Sequence, residues 1–150
     1  MCCTTLGNTI PKWFLEVLGV WVSSLNECGY CVEHHFAGMK RLLGDDARSD
    51  AIRVAIENRN PESAPLDKAQ KNAMDYVRIL TRDPAGLSEE HVIQLRAAGY
   101  SDGEILEINQ VSAYFGYANR TVLGLGCSTK GDILGLSPNN SNDPANWNHT

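Results

Sequence analysis

The chain has no basic cluster. Its 13 lysines and arginines are outnumbered by 18 aspartates and glutamates, for a formal net charge of −5. It therefore has no electrostatic footprint for a nucleic acid. It also lacks an apolar run long enough to span a bilayer, which takes about 20 residues. The nearest candidate, Trp13 to Val22 behind Lys12, is too short and holds Glu16 in its middle. No small-residue cleavage site follows it, which argues against a signal peptide, so neither a membrane nor a nucleic acid is expected as a partner. Five unevenly placed cysteines are too few for the disulfide scaffold of a secreted protein, and a reducing compartment, the cytoplasm, is expected. There is no internal repeat and no convincing strand alternation. A chain of 150 residues with this apolar content fits one domain with a real core.

What is present is helix after helix. Pro11 suits the first turn of a helix running to Leu25, and the apolar residues Trp13, Phe14, Val17, Leu18, Val20, Trp21 and Leu25 cover more than one face of it. Such a helix is expected to be buried, by neighbours or by another subunit. Asn26-Glu27 reads as a break, and a second helix over 28 to 43 ends at Gly44, suited to a left-handed cap. A short helix near 47 to 57 follows, then a loop of prolines and asparagines over 58 to 65. Leu66, Ala69, Ala73, Tyr76, Val77 and Leu80 mark another helix, broken at Asp83-Pro84. Ser88 caps the next, with Glu89 and Glu90 in its first turn, and His91 is expected on the surface. Ser101 to Glu104 reads as a capping box opening a long helix to about Gly124. The expected division is a loose start over 1–10, a helical domain over 11–136 and a polar tail over 137–150 that either stays mobile or wraps a neighbouring subunit, anchored by Trp147. Cys2 and Cys3 are expected to be exposed and incidental, and Cys127 to be buried without a partner.

The residues that carry chemistry lie between positions 16 and 35: Glu16, then eleven residues, then Cys28-Gly29-Tyr30-Cys31-Val32-Glu33-His34-His35. On a helix, positions 28, 31 and 35 share one face, and His34 points elsewhere. In an antiparallel hairpin turning at 26–27, Glu16 and His35 come level, because each residue rises about 1.5 Å. Glu16 interrupts an apolar run, so it is either on an exposed edge or buried with a partner, and His35 is the natural one. A cysteine in the first turn of a helix or beside an imidazole is expected to titrate below its usual value, and the thiolate is the form that attacks peroxide. Two sulfurs one turn apart can condense to a disulfide after one becomes a sulfenic acid. Glu16 and His35 can carry the protons. The array has the parts of a thiol peroxidase.

The spacing Glu-x11-Cys-x2-Cys-x3-His, with Ser23 to His35, Tyr114-Phe115-Gly116-Tyr117-Ala118-Asn119-Arg120 and Gly131 to Asn140, resembles the alkylhydroperoxidase D family of the carboxymuconolactone decarboxylase superfamily, in its peroxidase-related branch. The resemblance implies an all-α, AhpD-like helical domain with the Cys-x-x-Cys at the start of a helix in a helical hairpin. It implies a homo-oligomer, trimer or hexamer, that reduces hydrogen peroxide or organic hydroperoxides. A dithiol partner of the thioredoxin-like or lipoyl kind would re-reduce it, with no haem, flavin or metal. Carried over residue by residue, Cys31 forms the sulfenic acid and Cys28 is its proton donor and resolving partner, with Glu16 and His35 as the relay. The best-studied members place a histidine between the cysteines where this chain has Tyr30. Members of the branch also carry helical sequence ahead of the motif helix, where here only residues 1–10 stand, so a truncated start is expected.

Other readings weigh against this one. Cys28 and Cys31 with His34 or His35 can form half a zinc site, although two cysteines and a histidine along one helix do not wrap a tetrahedron and no second Cys-x-x-Cys follows. A lactone decarboxylase-like activity is the enzymatic rival, disfavoured by the intact cysteine pair because such members do not depend on one. Asn109, Tyr114, Tyr117, Asn119 and Arg120 share the last long helix and either line an active-site entrance or serve packing and an oligomer interface.

Overall fold

The structure is a computed structural model and describes residues 9–135. Residues 1–8 of the start expected to be loose, with Cys2 and Cys3, and the tail 137–150 with Trp147, lie outside the described residues. Within them every regular element is helical: α1 Lys12–Leu25, α2 Gly29–Leu43, α3 Asp46–Glu57, α4 Lys68–Arg82, α5 Glu89–Ala97 and α6 Asp102–Gly124, with short 3-10 turns at Pro61–Ser63 and Pro84–Gly86.

Helix α1 is the centre of the molecule. It packs on α2, α6, α4 and α3, and that is why it is apolar nearly all round: residues from Phe14 through Ser23, and Leu25, are buried. These contacts bury it within this one chain. Each large apolar side chain placed there stabilises the fold by about 1.5–3 kcal/mol. Trp21 adds a polar tie, its indole Nε1 donating to the Met74 carbonyl of α4 at 2.9 Å. Thr9 and Ile10, at the edge of the start expected to be loose, are held by α6: both backbone N–H groups donate to the Glu107 carboxylate, at 2.9 and 3.0 Å.

The turn between α1 and α2 is built to a specific plan. Glu27 adopts a left-handed conformation, φ 59°. The Glu27 N–H donates to Ser24 at 3.1 Å and the Cys28 N–H to Ser23 at 2.9 Å. This pair of bonds satisfies the last carbonyls of α1 and delivers Cys28 directly to the start of α2. Helix α2 ends where the sequence predicts, at Gly44 with φ 65°.

Capping explains the other helix starts. Asp45 accepts from the Arg48 N–H at 3.0 Å. Asp67 with Gln70 and Ser101 with Glu104 form reciprocal boxes. His91, expected to be merely solvated, instead reaches back to Ser88, accepting its backbone N–H at 3.1 Å. Arg53 of α3 reaches α2, bonding Glu33 with both terminal nitrogens and lying 4.6 Å over the Phe36 ring. Partly exposed ion pairs of this kind contribute at most about 1 kcal/mol, so the clamp adds little to the stability of the fold.

Candidate active site

The α1–α2 hairpin brings the acid and the imidazole together. His35 Nδ1 lies 2.7 Å from Glu16 Oε2. The carboxylate is buried and the histidine side chain is 30% exposed. Gly38, one turn beyond His35, faces the carboxylate, and a Cβ there would make ordinary van der Waals contact with it at 3.6 Å. On its other side the His35 ring meets the Phe115 ring of α6 edge-on, with centroids 4.5 Å apart. Phe115 is seated by Gly19 of α1, where any Cβ would run into that ring. Sequence spacing pointed to the Glu16–His35 pairing. It did not reveal that α6 supplies the wall behind the imidazole.

The two sulfurs sit at the mouth of α2 and beneath the surface. Cys28 is 0% and Cys31 4% exposed, both are free thiols, and their side chains hydrogen-bond each other. Cys28 is the N-cap residue and Cys31 lies in the first turn, four residues before His35. The expectation of a lowered thiol pKa is not met. Burial pushes the Cys31 thiol up to about 12, and the hydrogen bond from Cys28 pushes the same way. Position at a helix start favours the thiolate, but desolvation of a buried charge outweighs it here. In this geometry Cys31 is a protonated thiol whose proton has to be taken by a base.

Asn119, read from the sequence as an entrance or packing residue, lies inside the candidate site. It is fully buried and hydrogen-bonds the Cys31 side chain in the sense that lowers its pKa. Its neighbours in the sequence motif stand elsewhere. Asn109 Nδ2 donates to the Tyr76 hydroxyl at 2.8 Å, Arg120 turns back to the Gly116 carbonyl, and Tyr117 is exposed. Tyr114 packs on Phe115 with centroids 5.5 Å apart.

Residues after α6 fold back over the start of α2. Asp132 Oδ2 is 3.1 Å from His34 Nε2 and accepts the Tyr30 hydroxyl hydrogen bond. The Tyr30 and His34 rings pack with centroids 4.5 Å apart. Burial, then Asp132, raise the Tyr30 pKa. Tyr30, between the two cysteines, is thus engaged with Asp132 and His34, while Glu16 bonds His35. Gly135 closes the segment, buried with φ 72° against Ala37 and Gly38. Cys127, expected to be buried, is exposed, because it follows the left-handed Gly126 that ends α6 and so leaves the core.

Among the described residues no three His, Cys, Asp or Glu side chains are grouped as metal ligands, and no helix is long and apolar enough to cross a membrane.

The six helices with the cysteine pair opening α2 form an alkylhydroperoxidase D-like fold. Two solved structures carry the likeness. The chain is 31% identical, with a TM-score of 0.73, to an uncharacterized peroxidase-related protein from Silicibacter sp. TM1040, over 82% of this chain and 62% of that one. It is 24% identical, with a TM-score of 0.70, to an uncharacterized peroxidase-related protein from Ralstonia eutropha JMP134 described as an alkylhydroperoxidase AhpD core, over 78% of this chain and 59% of that one; this second likeness shows the fold alone. The chain thus spans less than two thirds of the length of either protein. No protein-family model matches the chain, and no curated protein does.

Proposed function

We propose that this protein is a thiol-dependent peroxidase acting on hydrogen peroxide or organic hydroperoxides through Cys31 and Cys28. The observation that carries the reading is the 2.7 Å bond between buried Glu16 and His35, on the same hairpin as two buried thiols in contact with each other. The peroxidase-related names of the two structural neighbours support it.

With Glu16 ionised, the carboxylate accepts the His35 Nδ1–H and leaves Nε2 as the basic nitrogen. His35 takes the Cys31 proton, and the thiolate attacks one peroxide oxygen. The O–O bond breaks, Cys31 becomes the sulfenic acid, and the departing alkoxide or hydroxide collects the proton from the imidazole. The Cys28 sulfur, its proton passed on, then attacks the Cys31 sulfur. Hydroxide leaves as water, and a Cys28–Cys31 disulfide forms. Two electrons and two protons from a dithiol reductant restore both thiols.

The test is dimedone labelling with mass spectrometry after peroxide exposure. Cys31→Ser abolishes peroxide turnover, and Cys28→Ser accumulates a label on Cys31. Label confined to any other cysteine defeats the assignment.

A further inference from the structure

Asn119 makes three side-chain hydrogen bonds in a site where none is needed to satisfy backbone. Its Oδ1 accepts from Asn26 Nδ2 at 3.0 Å and its Nδ2 donates to Ser23 Oγ at 3.0 Å. The Ser23 and Ser24 carbonyls at the end of α1 are taken by the Cys28 and Glu27 N–H groups, and these two bonds of the amide go to side chains, not to the helix backbone. A primary amide carries two N–H donors. The Ser23 bond uses one, and Asn119 also hydrogen-bonds the Cys31 side chain in the sense that favours its thiolate. The residue that receives the first donor is also the anchor of the motif, since the Ser23 carbonyl accepts the Cys28 N–H at 2.9 Å. Asn26 and Ser23 together fix the amide plane, with Asn119 fully buried.

We infer that Asn119 is a catalytic residue, a fixed amide donor from α6 that holds the negative charge on the Cys31 sulfur when its thiol ionises. A donor already in place needs no reorganisation as charge develops, and away from water its effect on that charge is large. It offsets part of the desolvation that keeps Cys31 protonated. A hydrogen bond to a charged group favours ionisation by about tenfold or more. The inference rests on the peroxidase reading for its role in turnover, but not for its effect on the thiol.

Cys31 alkylation by iodoacetamide, located by mass spectrometry across a pH series, measures that effect. The variants are Asn119→Asp, Asn119→Ser and Ser23→Ala, each checked for helix content by circular dichroism. Asn119→Asp keeps the side-chain size but puts an acceptor and a charge where the donor was. Asn119→Ser withdraws the amide altogether and serves if the aspartate variant fails to fold. Both are expected to slow Cys31 alkylation about tenfold at a given pH near neutrality, displacing the profile about one unit to the alkaline side. Ser23→Ala, which leaves the amide in the protein, is expected to shift it far less. Mere loosening of the site has the opposite sign, because exposure of a buried thiol speeds alkylation. Unchanged or faster alkylation in the Asn119 variants overturns the inference, as does an equal slowing in Ser23→Ala. Alkylation consumes no peroxide, so a protein inactive on peroxide still reports on Asn119, and that inactivity counts against the peroxidase reading alone.

Discussion

Glu16 and His35 are 19 residues apart in the chain and 2.7 Å apart in space, joined Oε2 to Nδ1 across two antiparallel helices. The carboxylate is almost wholly buried while the ring is partly open to water. A proton taken up at the ring can therefore be exchanged with solvent without exposing the acid. Replacing the acid by its amide keeps the shape and removes the charge that fixes the imidazole tautomer.

Glu16→Gln is expected to lower the peroxide-dependent rate by roughly tenfold to a hundredfold, within the range general acid–base assistance supplies, and to shift the pH optimum. Steady-state rates across pH measure both. An unchanged profile removes Glu16 from the mechanism.

The Gly19–Phe115 contact sets how closely α6 approaches α1. Gly19→Ala is expected to cost about 1–3 kcal/mol from overpacking, read as a lower urea midpoint, and to displace Phe115 from the His35 ring. Equal stability of the two proteins would mean that the ring moves aside freely and does not hold the imidazole.

The raised Cys31 pKa has a thermodynamic consequence with a definite sign. The folded thiol keeps its proton up to about 12, whereas the same thiol in the unfolded chain loses it near 9.0. Between those values the unfolded state binds fewer protons, so stability falls as pH rises. The contribution is complete below about 9 and lost on passing through about 12. Urea midpoints measured through this window are expected to decline less steeply in Cys31→Ser than in the wild type; parallel slopes would show that Cys31 does not titrate as described.

Glu27 holds the left-handed position of the turn with a side chain that pays a conformational penalty there. Glu27→Gly is expected to stabilise the protein by roughly 1 kcal/mol, visible as a higher melting temperature with the alkylation behaviour of Cys28 and Cys31 retained. A lower melting temperature would mean that the glutamate side chain, rather than the backbone, maintains the turn.

How much of this was legible in the sequence follows from the range of the interactions. The helix starts at Asp45, Ser88 and Ser101 and the stop at Gly44 are local events, written in residues that a single turn of helix uses. The stops near Glu27 and Arg59 were read from asparagines and prolines rather than from a glycine, and the positive φ that both residues take was not foreseen. The Glu16–His35 pairing was accessible because two helices with a tight turn obey simple arithmetic of rise per residue. Nothing local marks Asn119 as buried under Cys31, Phe115 as the wall of His35, or Asp132 as the partner of Tyr30 and His34. Those contacts exist only once α6 has crossed α1. The direction of the Cys31 pKa was missed for the same reason: helix position is a local property, whereas burial is a property of the assembled core.

The concealment of the two sulfurs divides any catalytic cycle by the size of the visitor. In the proposed cycle the hydroperoxide is the small visitor, and His35, 30% exposed, is the most open member of the array. A protein dithiol is the large one, for it has to touch a sulfur directly, and Cys28 presents no surface at all. Re-reduction by such a partner in that cycle therefore requires Cys28 to come to the surface.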